Sequence, residues 1–485
     1  MGMRIGFREW WWRGALVLLC YGAATAVVLA ASPEPIGMVA MPDRWLEYRW
    51  NLASDGKNVF VAVNYTGALS ELSKNCTASA PKYPHQVGAV LKAQDGWLMA
   101  SVRAANPQNA DKSQNRRNSF NQIYVWQNLG ADEGQPTWQL SGELSPPASL
   151  PPSIAEQAGG VRSFTDDMAI DAGDPTTLFV GARLDTDPPK PPVALIYRKN
   201  KKDWRLEGVL PRESVGLGDA DGLCLATAKD QLALGYQTGG LAVYRRVGGN
   251  NTQWERRGHF SIGCDHAAFV GDQFFALHSG RVHQLNLVDN IWQPLGEPLV
   301  YREHASLFPY PEQFTMQDTL LAVSDSSEQQ VHLYLRNAQP MQQWRRQTSL
   351  GAAKNPAQAD GEKSFGRRLA MAQNHLFVVQ RGGAGAGKSG ASKFQGSLRD
   401  NPDNEGLAHF VRNPLDGSWS QQPSIRIADL AKTQRLLTLT LNQKTCEPEV
   451  DSRSDQPTSP SLGTLFGLSK PAVPPLFLGA IYVLR

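Results

Sequence analysis

The sequence predicts an all-β chain: a single β-propeller of eight four-stranded blades, with seven as the alternative. Three observations carry this reading. First, short runs of alternating apolar and polar residues, broken by Gly, Asn and Asp, recur along the chain and are clearest in Gly361–Val379. Second, a seven-residue step recurs at Leu52–Val59, Leu91–Leu98, Leu225–Leu232, Ala267–Phe274, Gln313–Leu320, Leu369–Leu376 and Asp429–Leu436, and Met168–Leu178 is the same step stretched by Gly173-Asp174-Pro175. A hairpin held in one register keeps that spacing, because a one-residue slip turns every side chain to the wrong face. Third, each hairpin leads to another apolar run, and six of these lead on to a Trp at 138, 204, 254, 292, 344 or 419. One small sheet cannot bury both of its faces alone, whereas sheets stacked in a ring can. The Trp of the outermost strand is expected to pack on the next blade.

Residues 1–31 read as a targeting segment: Arg4, Arg8 and Arg13 precede an uncharged apolar run, Gly14 to Ala31, that ends in small residues. Cleavage is expected, with an uncleaved membrane anchor as the alternative, since the run is intermediate in length between a signal core and a spanning helix. Either way the propeller, residues 32–485, is expected to be exported: periplasmic, secreted or membrane-anchored. The membrane would be met only through residues 14–31, and only if they are retained.

The eight third strands are expected at Ala68–Leu72, Gln122–Trp126, Val193–Tyr197, Gly240–Tyr244, Arg281–Leu285, Gln330–Tyr334, Leu407–Val411 and Gly479–Leu484. The last unit ends without a fourth strand, so an N-terminal segment, Pro35–Met41, is expected to pair with the C-terminal one and close the ring. In the seven-blade alternative, Trp45–Leu52 is the closing strand. Inserted loops fall at 104–120, 185–192, 382–405 and 442–474, each between the second and third strand of a unit, and so on one face of the ring. The segment 442–474 reads as polar, unstructured decoration. Function on a rigid scaffold concentrates in such variable loops.

Ser364-Phe365-Gly366 with Leu369-Ala370, Ser163-Phe164 with Met168-Ala169, and the strand Leu241–Arg246 together resemble the FG-GAP repeat of integrin α-chain propellers. The resemblance implies a propeller of exported or cell-surface type and, in that family, calcium in the first hairpin loop. Here those loops are tight turns such as Asp95-Gly96 and Gln373-Asn374, too short for the six to eight oxygens of Ca²⁺. No cofactor is therefore expected, and calcium is the one ion left open.

A net charge of +3 with 19% charged residues gives no basic stripe for nucleic acid. Gly382–Ser389 matches the P-loop pattern, but the residues after it could not dock the helix that a phosphate cradle needs, so it reads as a Gly-rich loop. Asp219–Gly222 is half a calcium loop. Cys264 and His266 are two candidate metal ligands where three or four are required. A Cys224–Cys264 bridge and buried free thiols are both compatible with the spacing. No G-x-S-x-G elbow or H-E-x-x-H motif is present.

The candidate binding set is the charged rim of the ring's channel on the insertion face. It comprises Asp166, Asp167, Asp265, His266, Arg367 and Arg368 at innermost-strand starts, and Arg103, Arg183, Asp325 and Arg381 at second-strand ends. No catalytic residue is assigned. The functional expectation is a non-enzymatic propeller that binds a protein or glycan at the cell envelope. The alternative is an exported hydrolase or oxidoreductase working at the channel mouth.

Overall fold

The computed structural model describes residues 50–64, 86–105, 119–132, 135–147, 149–150, 161–184, 192–201, 203–210, 223–237, 240–248, 253–302, 313–325, 327–337, 344–351, 364–381, 405–425, 427–430, 433–442, 447–452 and 476–484. The fold is built within the unit Tyr48–Arg485. It opens with a hairpin, β1 (Trp50–Ser54) and β2 (Val59–Asn64). Blade I follows as β3 (Gln86–Gln94), β4 (Trp97–Ala105), β5 (Ser119–Asp132) and β6 (Gln135–Leu144). Blade II is β7 (Val161–Ile170), β8 (Thr177–Leu184), β9 (Val193–Asn200) and β10 (Asp203–Leu210). Blade III is β11 (Leu223–Ala228), β12 (Gln231–Tyr236), β13 (Leu241–Arg246) and β14 (Trp254–Phe260). Blade IV is β15 (His266–Val270), β16 (Gln273–His278), β17 (Arg281–Val288) and β18 (Ile291–Pro294), with the short β19 (Leu299–Val300) also on β17. Blade V is β20 (Phe314–Gln317), β21 (Leu320–Asp325), β22 (Gln330–Arg336) and β23 (Trp344–Gly351). Blade VI is β24 (Ser364–Ala372), β25 (His375–Arg381), β26 (Glu405–Arg412) and β27 (Trp419–Ile425). One helical turn, α1 (Ile427–Leu430), precedes β28 (Gln434–Asn442), β29 (Glu447–Asp451) and β30 (Leu476–Leu484).

Each of blades I to VI is an antiparallel meander, and the innermost strands touch in the cyclic order β1, β3, β7, β11, β15, β20, β24 and back to β1. The protein is therefore a seven-bladed β-propeller, and the expectation of eight is corrected. The first and last units of the sequence fuse into one blade, ordered β1-β2-β30-β28-β29. The free edge of β2 is filled by β30 (Val59 opposite Leu484, Ala62 opposite Ile481), and β28 pairs on the far side of β30. The two chain ends thus close the ring together, as anticipated, but by a third route. β1 stays innermost, as the Leu52–Val59 step requires, and β28 is an outer strand whose Asp429–Leu436 spacing only imitates an inner hairpin. The proposed strands 35–41 and 68–72 lie outside the described residues, as do residues 1–31. Among the described residues no helix is long and apolar enough to cross a membrane.

Two-residue turns join the inner hairpins of blade I and of blades III to VI, for example Gln94 opposite Trp97 and Val270 opposite Gln273. Asp95 and Gly96 both adopt positive φ, +48° and +78°, the turn whose twist matches that of its strands. Burial is interblade rather than central. In β4, Leu98, Ala100 and Val102 pack toward the fused blade that closes the ring, blade VII, while Trp97 and Met99 pack toward blade II. The outer-strand Trp residues pack on the blade before their own in sequence, not on the next one. Trp138 meets Phe60 edge-on at 4.8 Å, Trp254 meets Phe179 at 5.2 Å, and Trp292 Nε1 donates to Gln231 Oε1 at 2.8 Å. Cys224, on β11, and Cys264, just before β15, form a disulfide across blades III and IV with Cα atoms 6.0 Å apart. Gly235 makes room for it: a Cβ there would lie 2.6 Å from Cys264 Cβ and 2.8 Å from Cys224 Sγ.

The segments between β4 and β5, β8 and β9, and β25 and β26 leave from one face, and most of their residues lie outside the described set. Within 442–474, residues 447–451 pair with β28 as a strand, so that part is not unstructured.

Candidate functional site

Three innermost strands share one irregularity at the loop-rich end of the channel. Between Val87 and Leu91, Phe164 and Met168, and Phe365 and Leu369, three residues oppose a single partner residue. Such bulges bend a strand and re-aim its side chains. Each has local support. Ser101 Oγ accepts the Val90 N–H at 2.9 Å, Gly181 leaves no space for a Cβ beside the Asp167 backbone, and Gly366 takes φ +88°. Two of the bulges carry the paired charges that follow Phe164 and Phe365, and of these pairs Asp167 and Arg368 have described side chains.

Asp167 is buried and ties three blades together. Its Oδ2 accepts the Leu225 N–H at 2.8 Å, and its Oδ1 lies 3.2 Å from Lys92 Nζ. Lys92 and Arg368 both lie close enough to His266 to act on it electrostatically. Burial, with Lys92 and Arg368 adding to it, holds the His266 imidazole well below the usual histidine range. That ring stands edge-on to Phe314 with centroids 4.8 Å apart, and its buried Nδ1 has no hydrogen-bond partner. Lys92 and His266 also line a cavity of about 530 Å³ that reaches the tight-turn end, where Asp95, Lys229 and Gly271 contribute to its wall. Gln94 and Thr227 clasp across it at 3.2 Å.

The other expected rim residues go elsewhere. Asp265 turns away from the channel to His278 Nδ1 (3.2 Å) and the Ser279 N–H (3.4 Å). Asp325, fully buried, accepts from the Ser327 and Glu328 N–H groups (both 3.1 Å) and from Ser327 Oγ (2.5 Å), and it pairs with Arg302 at 3.7 Å. Burial raises the Asp325 pKa, but His332, Ser327, the Glu328 N–H and Arg302 outweigh it and hold the carboxyl at about 2. Arg183 is half-buried at the end of β8, opposite Ser163. The side chains of Arg103, Asp166, Arg367 and Arg381 lie outside the described set, as do the P-loop-like segment 382–389 and Asp219–Gly222. With Cys264 in a disulfide, the Cys264–His266 metal pair is ruled out.

The structure therefore brings Asp167, His266 and Arg368 to the channel and adds Lys92. Lys92 sits inside an apolar inner strand, and its only sequence signal is a lone charge in VLKAQ.

No known protein-family profile matches the chain, and no curated protein matches it. Its class is set by its own strand order, that of a seven-bladed β-propeller. Among solved structures it is similar to a putative 6-phosphogluconolactonase from Bacteroides uniformis, with TM-score 0.43 and 9% identity, covering 77% of this chain and 93% of that one. It is also similar to the WD40 domain of Toxoplasma gondii coronin, with TM-score 0.40 and 8% identity, covering 81% and 80% respectively.

Proposed function

We propose that the protein is an exported, non-enzymatic β-propeller that binds a protein or a glycan at the cell envelope through its loop-rich face. The observation that supports this most is how the mouth carboxylates are used. Asp167, Asp265 and Asp325 each accept backbone N–H groups and pair with a cation or a histidine inside the propeller. Carboxylates held this way act as staples for the strand ends and hold the rim rigid for the inserted loops. The Cys224–Cys264 disulfide and the basic-then-apolar N-terminus support export, and the Phe-containing repeat supports an FG-GAP-like origin.

The second reading, an exported enzyme, is favoured by His266, whose buried Nδ1 has no partner beside a cavity of substrate size. The test places a photo-crosslinking residue at Arg183 on the loop-rich rim in intact cells. A discrete adduct sensitive to protease or glycosidase is expected. Absence of an adduct, together with turnover of an ester, lactone or glycoside substrate that His266→Gln abolishes, would overturn the binding reading in favour of the enzyme.

A further inference from the structure

On the loop-rich edge of blade V the hairpin between β21 and β22 gathers three metal-ligand side chains away from the channel. One ligand atom each from Asp325, Glu328 and His332 lies within 4.8 Å of the others. The two oxygens of Asp325 have separate surroundings. Oδ1 takes the Ser327 and Glu328 donors and faces Arg302, so the turn is organised around it. Oδ2 is buried, makes no hydrogen bond, and points toward His332 Nε2 at 3.6 Å, beyond hydrogen-bond reach. His332 Nε2 is likewise buried without a hydrogen bond, in a residue only 1% exposed. The two atoms face each other as a long ion pair with no hydrogen bond to either, an arrangement that a shared ligand would satisfy better. A separation of 3.6 Å is close to what two ligands of one tetrahedral ion show, given bonds of about 2.0 to 2.2 Å. Glu328 is exposed and supplies a third ligand from the solvent side.

We propose that Asp325, Glu328 and His332 form a binding site for one divalent transition-metal ion of the zinc class, with water completing the coordination. An imidazole nitrogen with two carboxylates suits zinc, whereas calcium takes six to eight oxygens. The far side of the imidazole is equipped for this, because Ser349 Oγ lies 2.9 Å from Nδ1 and can accept its N–H. Without metal a competitor holds that position: Arg346 Nη2 lies 2.7 Å from Nδ1. A guanidinium can only donate, so Nδ1 accepts from it and the ring proton sits on Nε2, where the ion would bind. Metal binding must move that proton to Nδ1, toward Ser349, and release Arg346. The exposed Arg346 is therefore an antagonist of the site.

The test strips the full-length protein with EDTA and titrates it with zinc chloride against a chromophoric chelator. One tightly held equivalent is expected. Glu328→Gln should weaken it at least tenfold, His332→Gln should abolish it, and Arg346→Ala should tighten it severalfold. If the buried His332→Gln variant fails to fold, Glu328→Gln decides, since that side chain is exposed. Absence of stoichiometric zinc, or zinc held equally well by Glu328→Gln, would overturn the site. An unchanged or weaker affinity in Arg346→Ala would overturn the antagonist role.

Discussion

Removing the Cys224–Cys264 bridge should cost about 4 kcal/mol, a large share of a typical folding free energy. The magnitude follows from the 40-residue separation of the two cysteines, through the loop-closure entropy that the cross-link removes from the unfolded chain. Spread over a ring of about 440 residues, whose unfolding entropy is roughly 0.9 kcal/mol/K, this becomes a fall of about 4 °C in Tm. Both cysteines are only 2% exposed, so reduction also forces two thiols into space shaped for one bridge, and that overpacking adds to the loss. Gly235 gives an independent handle. Gly235→Ala sets a methyl against Cys264 Cβ and Cys224 Sγ and should lower Tm in the oxidised protein. Part of that loss should vanish in the Cys224→Ala/Cys264→Ala background, where the sulfur contact is gone. The assay is thermal unfolding followed by Trp fluorescence, with and without reductant, alongside a thiol count on denatured, unreduced protein. Five free thiols, the total cysteine count, or a Tm indifferent to reductant would refute the reasoning.

Trp138→Ala should destabilise by about 3 to 5 kcal/mol, because the fully buried indole fills the seam between blades I and VII against Phe60; a loss under 1 kcal/mol by urea titration would contradict this. In the metal-free protein the Asp325 carboxyl, held at about 2, lies below its ordinary value near 3.8, so its contribution is complete above pH 4 and is lost as pH falls toward 2. With solvent screening at the turn allowed for, roughly 1 to 2 kcal/mol should go in that window, and Asp325→Asn should flatten that limb of the acid-unfolding curve. Ending the chain after Pro475 deletes β30 and exposes the edges of both β2 and β28, so the product should be insoluble or molten; a monomer with unchanged Tm would show that closure does not depend on β30.

The inner hairpins of blade I and of blades III to VI were legible because a two-residue turn locks the register, and register is what a fixed spacing records; blade II keeps the same step, stretched by its longer turn. The Trp positions were legible because a large buried ring at one place per unit is hard to mistake. The blade count was not. β1, β2, β28 and β30 belong to one sheet, yet more than 360 residues separate β2 from β28, and each half has the local spacing of a complete unit. At the site, Asp167 and Arg368 could be found because a bulge puts paired charges into an apolar strand. Asp265 could not be told from His266, since adjacent residues on a strand face opposite ways and the start of β15 fixes which one meets the channel. Glu328, His332 and Arg346 gave no signal. Their convergence comes from the pairing of β21 with β22 and of β22 with β23, which is a property of the sheet and not of any one segment.

The closing blade also connects assembly of the ring to the site. β1 does more than end a sheet: Asn51 Nδ2 donates to the Gly88 and Ala89 carbonyls on the bulge of β3, at 2.8 and 3.1 Å, and Ser54 Oγ donates to the Met371 carbonyl of β24 at 2.7 Å. The strand thus grips blades I and VI, which carry two of the three bulges at the channel mouth. β1 is held by β2, and β2 has its outer edge completed only by β30, near the end of the chain. Pairing of such long sequence separation pays its loop-closure entropy before any contact is gained, so it is expected late in folding. The channel mouth is therefore completed by the same event that closes the ring. A chain caught before closure holds blades I to VI in order but lacks the strand that clasps the blade I bulge and the inner strand of blade VI.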